Sequence, residues 1–171
     1  MDASDQLLTV AGIGATLAGF TAIVGIFSTS GQRSEGTRLF FWLMIEFSFA
    51  TIFFSFLPLV LSNFDIRSAT IWAVSSATVA GFIVAHLVAI GAVLKSGFAK
   101  GQLPRLGPRI MGPLFVVVLA VQLLNATAVV FHRSYAAYFL GLVLFLTVAL
   151  ANFALLVTKF WESNVTGPNQ G

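Results

Sequence analysis

The apolar run LFFWLMIEFSFATIFF, residues 39–54, contains a single carboxylate, Glu46. A carboxyl group in hydrocarbon can take up a proton, hold a cation or pair with a base, and a charge there that does none of these is costly. A base interrupts another apolar stretch further along the chain, at His86. Acid and imidazole groups inside apolar runs are typical of proton relays and ion pathways, so these two residues are the first candidates for chemistry.

The composition indicates which kind of protein must position them. Hydrophobic residues make up 58% of the 171 residues and charged residues 9%, whereas a soluble domain has about 25% charged residues. Apolar runs of this length predict transmembrane helices, which satisfy their own backbone hydrogen bonds in lipid. We therefore expect an all-α, polytopic integral membrane bundle.

Five apolar runs have about the 20-residue length that crosses a bilayer as a helix. They are residues 7–28, 39–61, 69–94, 112–131 and 136–159. The chain is thus predicted to be a single transmembrane domain of residues 1–162 with a flexible polar tail at 163–171. The fourth gap is short, and we prefer a hairpin at His132–Tyr135 because Arg133 would be costly at the bilayer centre. A four-span version with a broken or re-entrant last helix also fits.

The basic residues predict the orientation of the bundle. With the N-terminus outside, seven of the nine Lys and Arg residues fall on the cytoplasmic side, and only Arg67 and Arg133 fall outside. Basic residues concentrate on the cytoplasmic side of membrane proteins. The sequence therefore predicts an N-out, C-in topology, and we expect a bacterial inner membrane.

Polar side chains of several helices are expected at one depth. At 1.5 Å per residue, Glu46 lies about 10 Å from the cytoplasmic end of its span, and polar groups of three other helices come to about the same depth. The members of this layer are Glu46, His86, Asn152 and Thr21, with Gln122 somewhat nearer the bilayer centre and Asn125 one turn farther out on the same helix face. We hypothesise a network in which Glu46 and His86 are partners.

Two interpretations of this network remain open. Interhelical hydrogen bonds between polar side chains often serve only to fix how helices pack. Intramembrane ionisable residues also line proton and ion pathways, where they titrate or form a constriction. The network is therefore either structural or part of a pathway.

Two further features concern helix packing. The first span carries a stripe of small residues, and such residues let helices approach closely in lipid. The stripe contains Gly12, Ala15, Gly19, Ala22 and Gly25. We expect it to be buried in the bundle, or else to lie at an oligomer axis or a pore. In the second span, Pro58 removes a backbone hydrogen bond and frees the carbonyl of Phe54, so a kink is expected there and a hinge is possible.

Several kinds of chemistry find no support in the sequence. There is no cysteine, and the two histidines lie on different spans, so no metal site or cofactor is expected. No catalytic motif is recognisable, and we expect neither an enzyme nor a nucleic-acid-binding protein. The basic residues of the third gap favour contact with lipid headgroups. They are Lys95, Lys100, Arg105 and Arg109.

Chain length then favours one functional class. Five helices are few for an alternating-access transporter, which places its site between two repeats of several spans each. A pathway would more readily form at the axis or interfaces of a symmetric homo-oligomer. We therefore expect a homo-oligomeric ion or proton channel. The alternative is a non-conducting accessory or adaptor subunit of a larger membrane complex.

Overall fold

The computed structural model describes residues 2–27, 35–99 and 106–165. These residues form five α-helices and no strand. The helices are α1 (Ala3–Phe27), α2 (Glu35–Leu61), α3 (Ser68–Ala99), α4 (Leu106–Ala126) and α5 (Tyr135–Val165).

Four of the helices are long and apolar enough to cross a membrane. Their spanning segments are Ala3–Val24, Arg38–Leu61, Ser68–Ala92 and Tyr135–Thr158. The apolar part of α4 is shorter and covers Gly112–Ala126. The prediction of an all-helical, membrane-type bundle is thus confirmed for the described residues, whereas a fifth crossing and the N-out orientation stay predictions.

The fourth helix ends earlier than the sequence predicts. α4 stops at Ala126 rather than at residue 131, and α5 is a separate helix that begins at Tyr135. The stop is a Schellman turn, in which the amide of Val129 donates to Leu124 O and that of Ala128 to Asn125 O. Ala128 has the left-handed φ of 60° that this turn requires. The break therefore comes from backbone geometry within an apolar stretch, which hydropathy does not register.

The bundle is arranged around α5, which contacts each of the other four helices and packs closely on α2. α1 packs on α2, and α3 packs on α4. Contact between α2 and α3 is slight. The helices thus form two groups, α1–α2–α5 and α3–α4.

α1 reaches α2 through Gly14 and not through the predicted stripe of small residues. A Cβ on Gly14 would lie 3.1 Å from the carbonyl oxygen of Ser48 and 3.3 Å from Cβ of Thr51. The members of the predicted stripe that can be described are instead exposed: Gly12, Ala15, Gly19 and Ala22. The buried positions of α1 lie on a different face, which includes Leu7, Leu17 and Thr21. The expectation that the stripe is buried within the chain is therefore not met at these four positions, where large side chains such as Ile13 and Phe20 are exposed as well, and a role between subunits stays a prediction.

Aromatic rings fill the centre of the bundle. The ring of Phe47 lies 5.4 Å from that of Phe115 and 5.6 Å from that of Phe145, measured between centroids. The ring of Phe82, from α3, contacts Phe47, Phe54 and Phe145. Helices of both groups therefore meet in one cluster of phenylalanines.

Pro58 lies inside α2, and the carbonyl that it frees is not left unpaired. The hydroxyl of Tyr138, on α5, donates to the backbone oxygen of Phe54. Because proline has no N–H, residue 54 lacks its usual partner four residues on, and Tyr138 supplies the donor instead. A side chain of α5 thus supplies the hydrogen bond that the proline of α2 removes.

Some predicted features fall at or beyond the edges of the described part. α5 continues to Val165, so the first residues of the predicted tail, from 163, are helical, and residues 166–171 lie outside the described residues. Lys100 and Arg105 also lie outside, as do the surroundings of Gly25 and the side chain of Arg109.

Candidate functional site

Glu46 and His86 meet in the interior of the bundle. Oε1 of Glu46 lies 3.0 Å from Nδ1 of His86, which is hydrogen-bond and ion-pair distance. The two residues are 40 positions apart in the chain and come from the antiparallel helices α2 and α3. The structure thus brings together the two ionisable side chains that the sequence places inside apolar runs.

Aromatic rings surround the imidazole. The ring of Phe47 lies edge-on at 4.7 Å, that of Phe115 is tilted at 5.4 Å, and that of Phe82 is stacked at 6.3 Å, measured between centroids. These rings exclude water from His86, whose side chain is only 5% exposed. Glu46 is therefore the polar partner of an imidazole that is otherwise enclosed by phenylalanines.

The carboxylate, by contrast, is open on one side. The Glu46 side chain is 26% exposed, and it lies on the stripe of α2 that carries Trp42, Phe49 and Phe53, all of them more than half exposed. The pair therefore has a closed end at the imidazole and an open end at the surface of the bundle. Among the described residues, the exposed edge of the pair is thus on the Glu46 side.

The two predicted partners of the pair on α1 and α5 are buried but bonded elsewhere. The hydroxyl of Thr21 donates to the carbonyl of Leu17 at 2.7 Å, and the amide of Asn152 donates to that of Val148 at the same distance. Each acceptor lies one turn earlier on the same helix. Thr21 and Asn152 therefore satisfy their own helices instead of joining the Glu46–His86 pair by a hydrogen bond.

The predicted members on α4 form a second cluster, away from the pair. Asn125 donates to Ser76 Oγ at 2.8 Å and to the carbonyl of Ser134 at 3.0 Å, and it accepts from the amide of Ser134 at 2.7 Å. Gln122 donates to the carbonyl of Ala137 at 2.7 Å. These hydrogen bonds tie the end of α4 to α3 and to the start of α5.

The separation follows from where α4 begins. A residue of α4 that contacts His86 is Phe115, and Gln122 lies two turns, or about 10 Å, further along the helix. The sequence interpretation placed Gln122 too near the layer of Glu46 because it began the span at residue 112, whereas α4 begins at Leu106. Gln122 is therefore placed in the half of the bundle opposite Glu46 and not in its layer.

The sequence reading missed several polar contacts. Ser76, Ser134 and Tyr138 each hold a buried or half-buried hydrogen bond between helices. For Tyr138 a signal existed, since Pro58 indicates an unpaired carbonyl at Phe54 and hence the need for a donor on a neighbouring helix. For the two serines no pattern in the chain points to their partners.

The remaining predicted sites can be placed individually. Pro58 is buried within α2, and its role as a hinge stays a prediction. Lys95 is exposed near the end of α3, where a lipid headgroup contact stays a prediction. Among the described residues, no cluster of three or more His, Cys, Asp or Glu side chains could hold a metal ion.

The chain was compared with known proteins at three levels. No protein-family model, no curated protein and no solved structure matches it. Functional inference therefore depends on the geometry of the chain itself.

Proposed function

We propose that this chain is an integral membrane protein, of a bacterial inner membrane, that assembles as a homo-oligomer and conducts protons or small ions past Glu46 and His86. The observation that carries the proposal is the acid–imidazole pair, held at 3.0 Å with its imidazole enclosed and its carboxylate partly open. Such a pair can accept a proton from one side and retain it within an apolar environment.

The open side of Glu46 supports an assembly. A carboxylate that faces lipid tails is costly, and a neighbouring subunit or a water-filled path removes that cost. A single chain of five helices offers few ways to enclose such a path, whereas a symmetric ring encloses one at its axis or interfaces. We therefore infer that the exposed edge of Glu46 faces a pathway between subunits.

The test is flux through proteoliposomes that contain the purified protein. Wild type should conduct protons or a small ion, and Glu46→Gln and His86→Gln should lower that flux at least several-fold while the assembly size stays the same. His132→Gln is the matched control, because His132 is exposed in the turn between α4 and α5 and its loss should leave flux unchanged. Absence of flux from wild type in a stable assembly, or equal flux from all three variants, would refute the proposal.

One observation favours a second candidate, a non-conducting accessory subunit. The face of α1 with Gly12 and Gly19 is uncovered in the chain, and no atom lies within 4 Å of a Cβ placed on either glycine. Small residues at a helix surface suit contact with another transmembrane helix. An accessory subunit should purify as a monomer or dimer, whereas a self-contained channel should purify as a closed ring. The mass of the protein in lipid-like detergent separates the two.

A further inference from the structure

Uncharged hydrogen bonds join the two helix groups at one end of the bundle. This end, which we call the turn end, carries the connections at residues 62–67 and 127–134. There Asn125 is bonded to Ser134, and Gln122 is bonded to Ala137. Amide and hydroxyl groups neither gain nor lose protons in the pH range in which carboxyl and imidazole groups titrate. These hydrogen bonds between α4 and α5 therefore persist across that range.

The opposite half of the bundle is joined differently. There α2 and α3 have little contact, and their polar link is the ion pair of Glu46 with His86. Around it Phe82 contacts Phe47 and Phe54, and Phe115 contacts Phe47. The α3–α4 group is thus fixed by neutral bonds at the turn end and by an ionisable pair away from it.

The charge of the pair depends on how many protons it holds. With one shared proton it is neutral overall, as imidazolium with carboxylate or as imidazole with carboxylic acid. A second proton gives the pair a charge of plus one, and loss of the last proton gives it minus one. A net charge in apolar surroundings is costly, so both changes favour exposure of the pair to water.

We propose that the Glu46–His86 pair is a pH-sensitive clasp, which holds α3–α4 against α2 when it carries one proton and releases that end when a proton is gained or lost. The turn end acts as the pivot, because its neutral bonds stay formed. Besides the pair, the movement must separate the ring of Phe82 from those of Phe47 and Phe54 and the ring of Phe115 from that of Phe47. As regulation of a pathway, the clasp rests on the proposed function, but its movement is measurable without flux.

The described surroundings contain no other titratable group that would obscure this dependence. From α4 the residue against His86 is Phe115, and from α5 the residue against the neighbouring rings is Phe145. The exposed Lys95 of α3 and the exposed Arg38 of α2 each lie more than two turns along their helices from the pair, and α1 carries no ionisable side chain after Asp5. On α5 the hydroxyl of Tyr138 is bonded to Phe54 O, two turns along α2 from Glu46.

The clasp can be tested with paired spin labels, since the natural chain has no cysteine. Arg38→Cys with Ala92→Cys reports the distance between α2 and α3 at the clasp end, and Val60→Cys with Ala69→Cys reports it at the turn end. All four positions are exposed. Distances are measured by pulsed electron paramagnetic resonance in nanodiscs from about pH 4 to about pH 9, a range that spans the ordinary pKa values of carboxyl and imidazole groups.

We expect the clasp-end distance to be shortest at an intermediate pH and to lengthen by several ångströms toward at least one end of the range, while the turn-end distance stays constant. His132→Gln should keep this dependence. Glu46→Gln should keep only the change toward acid pH and His86→Gln only the change toward alkaline pH, because each variant retains one titratable group. Both substitutions together should abolish the dependence, and the exchanged pair Glu46→His with His86→Glu should restore it.

Two results would overturn the clasp. One is a clasp-end distance that does not change with pH in wild type, and the other is a change that persists when Glu46→Gln and His86→Gln are combined. The turn-end labels show whether each variant is folded, and the exchanged pair decides the matter if a single variant is not. If the protein conducts but the clasp-end distance does not change with pH, the proposed function stands and the clasp is wrong. If the distance changes but the protein does not conduct, the clasp stands and the proposed function is wrong.

Discussion

At the scale of single residues, the hydroxyl of Tyr138 takes the place of a missing backbone donor. It donates to the carbonyl of Phe54, which Pro58 leaves without a partner. Tyr138→Phe removes this donor and leaves a buried carbonyl unsatisfied, which should lower the free energy of unfolding by about 1 to 2 kcal/mol. The measurement is unfolding of the purified protein in mixed micelles, followed by circular dichroism.

Pro58→Ala provides the control for this prediction. Alanine at position 58 restores the N–H that can donate to Phe54 O within α2. In that background Tyr138→Phe should have a clearly smaller effect on stability. An equal effect in both backgrounds would mean that Tyr138 stabilises the bundle through its ring rather than through the hydrogen bond.

Gly141 is a residue where even a methyl group does not fit. A Cβ there would lie 2.8 Å from Nε2 of Gln122 and 3.2 Å from Cγ1 of Val79. Gly141→Ala must displace Gln122 and weaken its bond to Ala137, which should lower the free energy of unfolding by about 1 to 3 kcal/mol. Thermal unfolding in detergent measures the change.

Gly12→Ala is the matched substitution on an exposed helix face, where no atom lies within 4 Å of the added Cβ. It should leave the stability of the monomer unchanged or raise it by up to about 1 kcal/mol, because alanine favours helix more than glycine does. A similar loss from both glycine variants would contradict the contact at Gly141.

From residue type alone, the hydrogen-bonding partners of ionisable side chains could be predicted well and those of neutral polar side chains poorly. Glu46 and His86 each need a polar partner inside apolar surroundings, so their depths along two helices sufficed to bring them together. Thr21 and Asn152 have a second option, since their side chains can bond to the carbonyl of the preceding turn. Depth and polarity could not show which option they take.

At the scale of the helix, the end of α4 is set by a residue that is poorly suited to it. Ala128 holds a φ of 60°, a conformation that is costly for residues with a Cβ and that glycine adopts readily. Ala128→Gly should therefore raise the free energy of unfolding by about 0.5 to 1 kcal/mol. Chemical or thermal unfolding in detergent would detect the increase.

Ala120→Gly makes the same change in the interior of α4, at an exposed position. There glycine should lower stability by about 1 kcal/mol, because it weakens a helix. Opposite signs for the two substitutions are the result expected from the Schellman turn. A loss of stability from both would indicate that α4 continues through Ala128 in the membrane.

The helices themselves were predictable because their apolar runs are long, whereas the depth of individual residues depended on where each run ends. For α2 and α3 the polar turn between them fixes the ends, and the level of Glu46 with His86 followed. For α4 the apolar run continues through residues 127–131, although the helix does not, and the helix begins at Leu106, before the apolar run. The depth of Gln122 was misjudged because the span was taken to begin at residue 112.

At the scale of the whole molecule, the exposed faces differ in character. α2 presents Trp42, Phe49 and Phe53, bulky rings on the stripe that also carries Glu46. α1 and α3 present small residues such as Gly19 and Gly81, which leave open space within the single chain. The proposed function therefore places the aromatic face of α2 at a pathway between subunits, and the faces of α1 and α3 are suited to contact with other helices.

The number of membrane crossings depends on α4. Its apolar part, Gly112–Ala126, spans about 22 Å at 1.5 Å per residue, which is less than the hydrocarbon core of about 30 Å, whereas the 21 residues of the whole helix span about 31 Å. A helix with a short apolar part can still cross when the bilayer thins locally or when its flanking residues extend toward the interface. We therefore expect five crossings, with the turn at residues 127–134 close to the outer surface.

Single cysteines introduced into the cysteine-free chain test this topology with a membrane-impermeant maleimide on intact cells. With the N-terminus outside, Ser4→Cys, Asp65→Cys and His132→Cys should be labelled from outside, and Lys95→Cys should be labelled only after the membrane is opened. His132→Cys should react more slowly than Asp65→Cys, because the short apolar part of α4 holds the turn at residues 127–134 nearer the hydrocarbon core of the bilayer. If only Lys95→Cys is labelled on intact cells, the orientation is the reverse of the predicted one. If Asp65→Cys is fully labelled and His132→Cys is protected, α4 does not cross the membrane. In that case the turn before α5 lies within the membrane.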